Sequence, residues 1–207
     1  YILECKNLSI GYGQSIQSNL NLRIGRSELT VLIGENGMGK STLLRTLSGS
    51  IPSLQGEILM KGKNLKLWSK QALAKELAVV WTDPVNIGMI KVEEFVAYGR
   101  YPFINWLASL QEEDGIQIKR AIELCGIEHL RKRDFQSISD GEKQKVLIAR
   151  AIAQNTPLIV LDEPTTHLDL KNTADIFILL KRVCTEFKKS ILLSTHKIDM
   201  GLQLADK

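Results

Sequence analysis

Gly34-Glu35-Asn36-Gly37-Met38-Gly39-Lys40-Ser41-Thr42 is the stretch from which the rest of the chain can be read. It fits G-x-x-x-x-G-K-[ST], with apolar Leu29 to Ile33 before it reading as a buried strand and Ser41 to Ser48 after it reading as a helix. Strand, glycine-rich loop and helix in that order are the context a phosphate-binding loop requires. Gly34, Gly37 and Gly39 let the backbone turn tightly enough to aim N–H groups inward, and the opening helix adds its partial positive end. A triphosphate fits such a cradle. Glu35, Asn36 and Met38 complete the loop, Lys40 reaches the β- and γ-phosphates, Ser41 offers a hydroxyl to Mg²⁺, and Thr42 donates towards the α-phosphate. The plainer alternative, a glycine-rich turn with a solvated lysine, leaves the coincidence of strand, full loop and helix without a reason.

Working outward, the next informative stretch is Pro157 to Leu161, a fully apolar strand that ends in Asp162-Glu163-Pro164. Carboxylates at the carboxyl end of a central strand stand where ligands gather in open α/β sheets. Beside a phosphate loop, Asp162 is a candidate Mg²⁺ ligand and Glu163 a candidate general base for an attacking water. His196 follows the last apolar strand, Ser190 to Ser194, and is placed to report on a γ-phosphate through one hydrogen bond. Ser139-Asp140-Gly141-Glu142 opens the helix 139–154 with the spacing of a capping box, and a helix N-terminus with a glycine also admits an anion.

Residues 2–10 and 16–24 alternate as strands, so an antiparallel element precedes the loop, and Tyr12 lies in the Gly11-Tyr12-Gly13 turn between them. A short strand at 57–61, a helical stretch near 69–76 and an apolar strand at 77–81 follow, the last running into the turn signal Thr82-Asp83-Pro84. From 91 to 136 the period becomes helical, which reads as an inserted helical lobe. It is interrupted at 99–106 by an aromatic-rich, proline-broken segment that reads either as a docking surface or as a loop tucked under its own helices. After Thr166-His167-Leu168-Asp169 comes an amphipathic helix carrying Ile176, Leu179, Leu180, Val183 and Phe187.

Composition narrows the function classes. The 207 residues suffice for one domain with an insertion, and the three separated cysteines read as reduced and buried, with no zinc-type spacing. A net charge of +4 permits nucleic acid without signalling it. No apolar run approaches a membrane span, so any association with a membrane comes through a partner. The chain opens on Tyr1 and stops at Lys207 in what reads as a helix, which suggests a domain trimmed at its C-terminus.

Taken together, these motifs resemble the nucleotide-binding domain of the ATP-binding cassette (ABC) family over essentially the whole chain. Gly34 to Thr42 is similar to its Walker A, Ile138 to Glu142 to its signature and Leu158 to Glu163 to its Walker B. Asp169 stands in the D-loop position, His196 in that of the switch histidine, and Tyr12 in that of the aromatic that stacks on adenine. The resemblance implies an α/β P-loop NTPase fold with a mostly parallel central sheet. Residues 1–90 and 137–207 would form the core with its N-terminal antiparallel β element, and 91–136 an inserted helical subdomain. It implies ATP and Mg²⁺ as cofactors and a dimer in which each ATP lies between one copy's phosphate loop and the other's Ser139, Gly141 and Glu142. Two positions depart from the family pattern. Asp140 replaces a usual glycine, and Thr82 replaces the glutamine that contacts Mg²⁺ and water, leaving at most a water-mediated metal contact.

Gly99-Arg100-Tyr101-Pro102 and the short lobe are similar to bacterial importers of iron-siderophore, haem and cobalamin complexes. In such systems the ATPase sits on the cytoplasmic face of the inner membrane, paired with an integral permease and, indirectly, with a periplasmic substrate-binding protein. No nucleic acid partner is expected. The competing readings are a soluble ABC ATPase acting on a ribosomal or nucleic-acid machine and a regulatory module that holds ATP without turnover. Neither the tandem cassettes nor the long coiled coil of the first is present, and Glu163 and His196 count against the second.

Overall fold

A computed structural model describes residues 1–83, 85, 87–104, 109–166 and 168–207. Pro84, positions 105–106 of the aromatic segment and His167 lie outside the described residues.

Two four-stranded sheets organise the described residues. The first is antiparallel, in the order β2-β1-β4-β5, from β1 (Leu3–Tyr12), β2 (Gln14–Ile24), β4 (Gln55–Met60) and β5 (Lys63–Asn64). The second is parallel, in the order β3-β8-β7-β6, from β3 (Leu29–Ile33), β6 (Leu77–Val80), β7 (Leu158–Asp162) and β8 (Ser190–Thr195). The strand expected at 57–61 thus belongs to the antiparallel layer, pairing Leu3 with Met60 and Lys6 with Glu57, so that layer is not confined to the N-terminus.

Helices α1 (Lys40–Leu47), α2 (Lys70–Ala74), α3 (Val92–Ala97), α4 (Glu112–Leu124), α5 (Asp140–Ala153), α6 (Leu170–Phe187) and α7 (Ile198–Leu204) complete the fold. The parallel strands bury side chains on both faces, and their period of two sorts those side chains into two cores. Leu158, Val160 and Leu192 pack with Leu44 and Leu47 of α1 and with Leu3 and Ile10 of β1. Ile159, Leu161, Ile191 and Leu193 pack on the other side with Phe95, Val146 and Phe177 from α3, α5 and α6. Because β3, β6, β7 and β8 run in one direction, the residues that follow them emerge at one edge of the sheet, with Ile33 opposite Thr195 and Asp162 opposite Ser194. The phosphate loop, Trp81-Thr82, Glu163 and His196 all leave from that edge.

Between α3 and α4 the chain makes a 3-10 turn, Tyr98–Phe103, with Pro102 inside it. The segment that holds these helices starts and ends at a single antiparallel bridge, Lys91 to Asp134, and Phe95 packs on Phe135 at 4.7 Å between ring centroids. The helical ending read at the C-terminus holds only to Leu204. Beyond it Asp206 N–H donates to the Leu29 carbonyl and the Lys207 carbonyl accepts from Val31 N–H, because β3 has a free edge there that an extended chain can satisfy. Among the described residues no helix is long and apolar enough to cross a membrane.

Candidate active site

Two glycines shape the phosphate loop. Gly37 has φ 83° and Gly39 φ 87°, in the left-handed region where a side chain is strained, and Gly39 is also the N-cap of α1. Lys40 extends back across the loop, its Nζ donating to the carbonyls of Gly34 (2.8 Å) and Glu35 (3.0 Å) and standing 3.2 Å from Glu163 Oε1. Glu35, Asn36 and Met38 form the exposed tip, and Thr42 is buried beneath it.

Ser41, Asp162 and Ser194 form a compact oxygen cluster. Asp162, 3% exposed, accepts at Oδ1 from Ser41 Oγ (3.0 Å) and from Ser194 Oγ (2.7 Å). Ser194 Oγ in turn accepts from Glu163 N–H at 3.0 Å. That bond steadies a backbone at φ 43°, unusual for a residue other than glycine, which turns Glu163 out of the strand direction and towards the loop. The Glu163 carboxylate accepts from Thr166 Oγ1 (3.1 Å) and lies 2.9 Å from His196 Nδ1. Burial pushes its carboxyl up, but the hydrogen bonds from His196, Lys40 and Thr166 outweigh that and hold it below the usual carboxylate range. A carboxylate held ionised at a strand end can accept a proton from water only where its charged partners leave it free, so a phosphate that draws Lys40 away would expose the base.

A cavity of about 430 Å³ is lined by Gly37, Gly39, Lys40, Ser41, Asp162 and Glu163, with Ile16, Arg45, Thr82 and Asp83 at its margins. A second cleft, of about 530 Å³, shares Thr82, Asp162 and Glu163 and extends to Asp140, Lys143 and Gln144 on α5. Thr82 sits between them. Its hydroxyl donates to the Asp162 backbone carbonyl at 2.8 Å, so its proton is committed to the protein and only its oxygen lone pairs face outward. Beside it Asp83 Oδ2 pairs with Arg45 Nη2 at 2.5 Å, and the same guanidinium lies 5.3 Å from the Trp81 ring centroid. Loop 81–83 is thereby tied to both α1 and β7.

The structure brings together Lys40, Ser41, Thr42, Thr82, Asp162, Glu163 and His196. It does not bring Ser139, Gly141, Glu142 or Asp169 to the cavity lining among the described residues. Ser139 and Glu142 satisfy each other as the capping box that their spacing predicts: Ser139 N–H (2.8 Å) and Oγ (2.7 Å) both donate to Glu142 Oε2. Those two bonds, with burial opposing them, hold the Glu142 carboxyl below its ordinary range. Gly141 faces the Asn172 side chain, Asp140 is solvent-exposed with Lys143 Nζ 3.6 Å away, and Asp169 caps α6 by accepting from Asn172 N–H at 2.7 Å. Tyr12 ends β1 and is 65% exposed.

Among the described residues of the aromatic segment, 99–104, Gly99 and Arg100 are interior and Tyr101 is the most exposed, at 59%. A Cβ on Gly99 would stand 2.2 Å from the Arg150 carbonyl oxygen, and Arg100 pairs with buried Asp114 at 2.7 Å. The tucked-loop reading therefore holds for Gly99 and Arg100, while Tyr101 stays exposed. Sequence reasoning missed Ser194, although a hydroxyl closing the apolar run Ile191 to Leu193 is itself a signal, and it missed Arg45 and Asp83, which carry none.

The family model described as ABC transporter matches residues 17–166. The iron(3+)-hydroxamate import ATP-binding protein FhuC of Bacillus subtilis is 38% identical over 198 residues, covering 95% of this chain and 74% of that protein. Among solved structures, cbiO1 from Clostridium perfringens, part of the ABC transporter complex cbiONQ, is similar with a TM-score of 0.87 at 30% identity, covering 100% of this chain and 82% of that one. A bacterial ABC transporter cassette solved as a dimer is similar with a TM-score of 0.84 at 26% identity, covering 99% and 91%.

Proposed function

The chain belongs to the ATP-binding domains of ABC transporters and is an ATPase, and from that premise we propose that it powers a bacterial importer of iron-siderophore, haem or cobalamin complexes. Two copies would work together on the cytoplasmic face of the inner membrane, docked on an integral permease that a periplasmic binding protein supplies. The 38% identity to a hydroxamate import ATPase over nearly the whole chain supports the solute class. In this reading residues 91–136 are the inserted helical lobe, with exposed Tyr101 on the permease-facing side.

The observation that carries the hydrolytic reading is Glu163, held ionised beside Lys40 and His196 at the mouth of a glycine-lined cavity. The α- and β-phosphates would rest on the backbone of Gly34 to Thr42, and Lys40 would exchange Glu163 for the β- and γ-phosphates. Freed in this way, Glu163 takes a proton from water as the water oxygen bonds to the γ-phosphorus and the bond to the bridging oxygen breaks, leaving ADP and phosphate. His196 then donates from the opposite side of the same carboxylate to the transferred group. The oxygen donors of Ser41 and Asp162 fit Mg²⁺, which takes one or two protein oxygens alongside phosphates and would supply charge neutralisation there. Thr82, its proton committed to the Asp162 carbonyl and its side chain shorter than the usual glutamine, would reach that ion only through a water. Tyr12, exposed on the hairpin, would stack on the base. Ser139, Gly141, Glu142 and Asp169 stand away from the cavity in one copy, which supports a second copy as the source of those groups at each site.

The test uses two variants. Lys40→Ala should abolish ATP binding by calorimetry. Glu163→Gln should keep ATP bound and accumulate a dimer in light scattering, because the binding geometry survives while the water loses its base. Undiminished affinity in the first would end the phosphate-loop assignment, and a second variant that stays monomeric with saturating ATP would end the shared-site assignment.

A further inference from the structure

We infer that Gln17, on β2 and outside every nucleotide motif, is a positioning residue that sets the anion-binding orientation of the phosphate loop. Its Nε2 donates to the Met38 carbonyl at 2.7 Å, at the exposed loop tip between the two left-handed glycines. The Met38 carbonyl and the Gly39 N–H belong to one planar trans peptide, so they point in opposite directions. Holding the carbonyl towards β2 therefore aims the Gly39 N–H away from β2, and Gly39 lines the nucleotide cavity. On its other side Gly39 is fixed as well, its carbonyl accepting from Leu43 N–H at 2.8 Å in the first turn of α1. Without the Gln17 bond, the Met38–Gly39 peptide, with a glycine on one side of it and the Gly37 turn just before it, has less to stop it rotating and turning a carbonyl dipole towards the phosphates, where it would repel them.

The hairpin is irregular where Gln17 must reach the loop. β1 and β2 pair Leu8 with Leu20, Ile10 with Gln17, and Gly11 with Ser15, so β2 carries one extra residue on each side of Gln17. Asn19, in the first irregularity, has φ 59°. Bulges re-aim side chains next to functional sites, and here the pair allows neighbouring residues of one strand to serve the same loop. Ile16, the extra residue of the second, brings its Cγ2 within 3.1 Å of the position a Cβ on Gly39 would take, closing the loop from beside Gln17. The polar contact orients the peptide while the apolar one limits its movement.

The proposal rests on the ATP-binding reading and is tested so that the two can fail separately. Gln17→Met keeps length and loses the donor, and Gln17→Lys restores a donor at similar reach. Calorimetry with ATP and with ADP, together with steady-state turnover, should show Gln17→Met weakening both nucleotides about three- to tenfold, the effect of one neutral hydrogen bond. Its kcat at saturating ATP should stay within about twofold of the unsubstituted protein, because Glu163 and Lys40 are untouched, and Gln17→Lys should recover most of the affinity. Unchanged nucleotide affinity in Gln17→Met would overturn the assignment, as would a loss that Gln17→Lys does not recover or that falls on kcat rather than on KM. Absence of ATP binding by the unsubstituted chain would instead overturn the site itself.

Discussion

Replacing Arg100 by methionine should cost stability rather than nucleotide affinity, and the local contacts give the size of the effect. Arg100 is 5% exposed and Asp114 4%. The guanidinium donates from Nε to Asp114 Oδ1 at 2.7 Å and from Nη1 to the carbonyl of Ala153 at 3.0 Å, and it lies 4.1 Å from the Phe103 ring centroid. Asp114 has a second task, accepting from Gln111 N–H at 2.8 Å at the start of α4. One ion pair thus joins the 98–103 turn, the N-terminus of α4 and the C-terminal end of α5, where a positive charge also suits the helix dipole. Burial pushes the Asp114 carboxyl up, but Gln111 N–H and Arg100 hold it below the ordinary range. Methionine fills much of the same volume and leaves a buried carboxylate unpaired, which costs about 3–5 kcal/mol. For a domain of this size that corresponds to a fall of roughly 6–20 °C in melting temperature. The sign with pH follows. A carboxylate whose folded pKa is depressed contributes stability above its unfolded value and loses it as pH falls through the folded one. In Arg100→Met that contribution is gone, so the gap between the two proteins should be full near pH 7 and narrow below about pH 4. Differential scanning fluorimetry and urea titration at two pH values would measure it, with the ATP dissociation constant expected within about twofold. A loss below about 1 kcal/mol at pH 7, or one that grows as pH falls, would refute the argument.

Two further outcomes concern the loop edges. Thr82→Ala removes one hydrogen bond to the Asp162 carbonyl, so turnover should fall by about tenfold or less, against roughly a hundred- to ten-thousandfold for Glu163→Gln; equal inactivity of the two would make Thr82 part of the chemistry. Tyr101→Ser removes an exposed ring and should leave ATPase and melting temperature nearly unchanged while abolishing co-purification with the permease; retained co-purification would remove this ring from the docking surface. Phe103, stacked on Arg100, is unsuitable for that test because its loss would expose the buried ion pair.

What could be read in the sequence, and what could not, divides along the distance over which each contact is made. Lys40, Ser41, Asp162 and Glu163 were legible because each sits at a fixed offset from a strand end, and parallel strands bring their ends to one edge whatever their order. The capping box of Ser139 and Glu142 was legible for the same reason, since both partners lie within one helical turn. Gln17 was not, because its contact depends on two register shifts in the hairpin that alternation of polar and apolar residues does not encode. Nor was the burial of Gly99 and Arg100: the 99–106 segment reads equally as surface or as a tucked loop until Asp114, in α4, supplies the charge that allows Arg100 to be buried. Thr82 shows how such long-range contacts alter a local reading. From the sequence it is a shortened glutamine that loses reach to the metal, whereas in the fold its hydroxyl ties the end of β6 to the backbone of Asp162 while Asp83 ties the next residue to α1. Loop 81–83 is therefore bonded to β7, whose end carries the carboxylates, and to α1, which follows the phosphate loop. A signal arriving from a docked partner at this loop would reach the nucleotide through those two ties, without a side chain long enough to touch it.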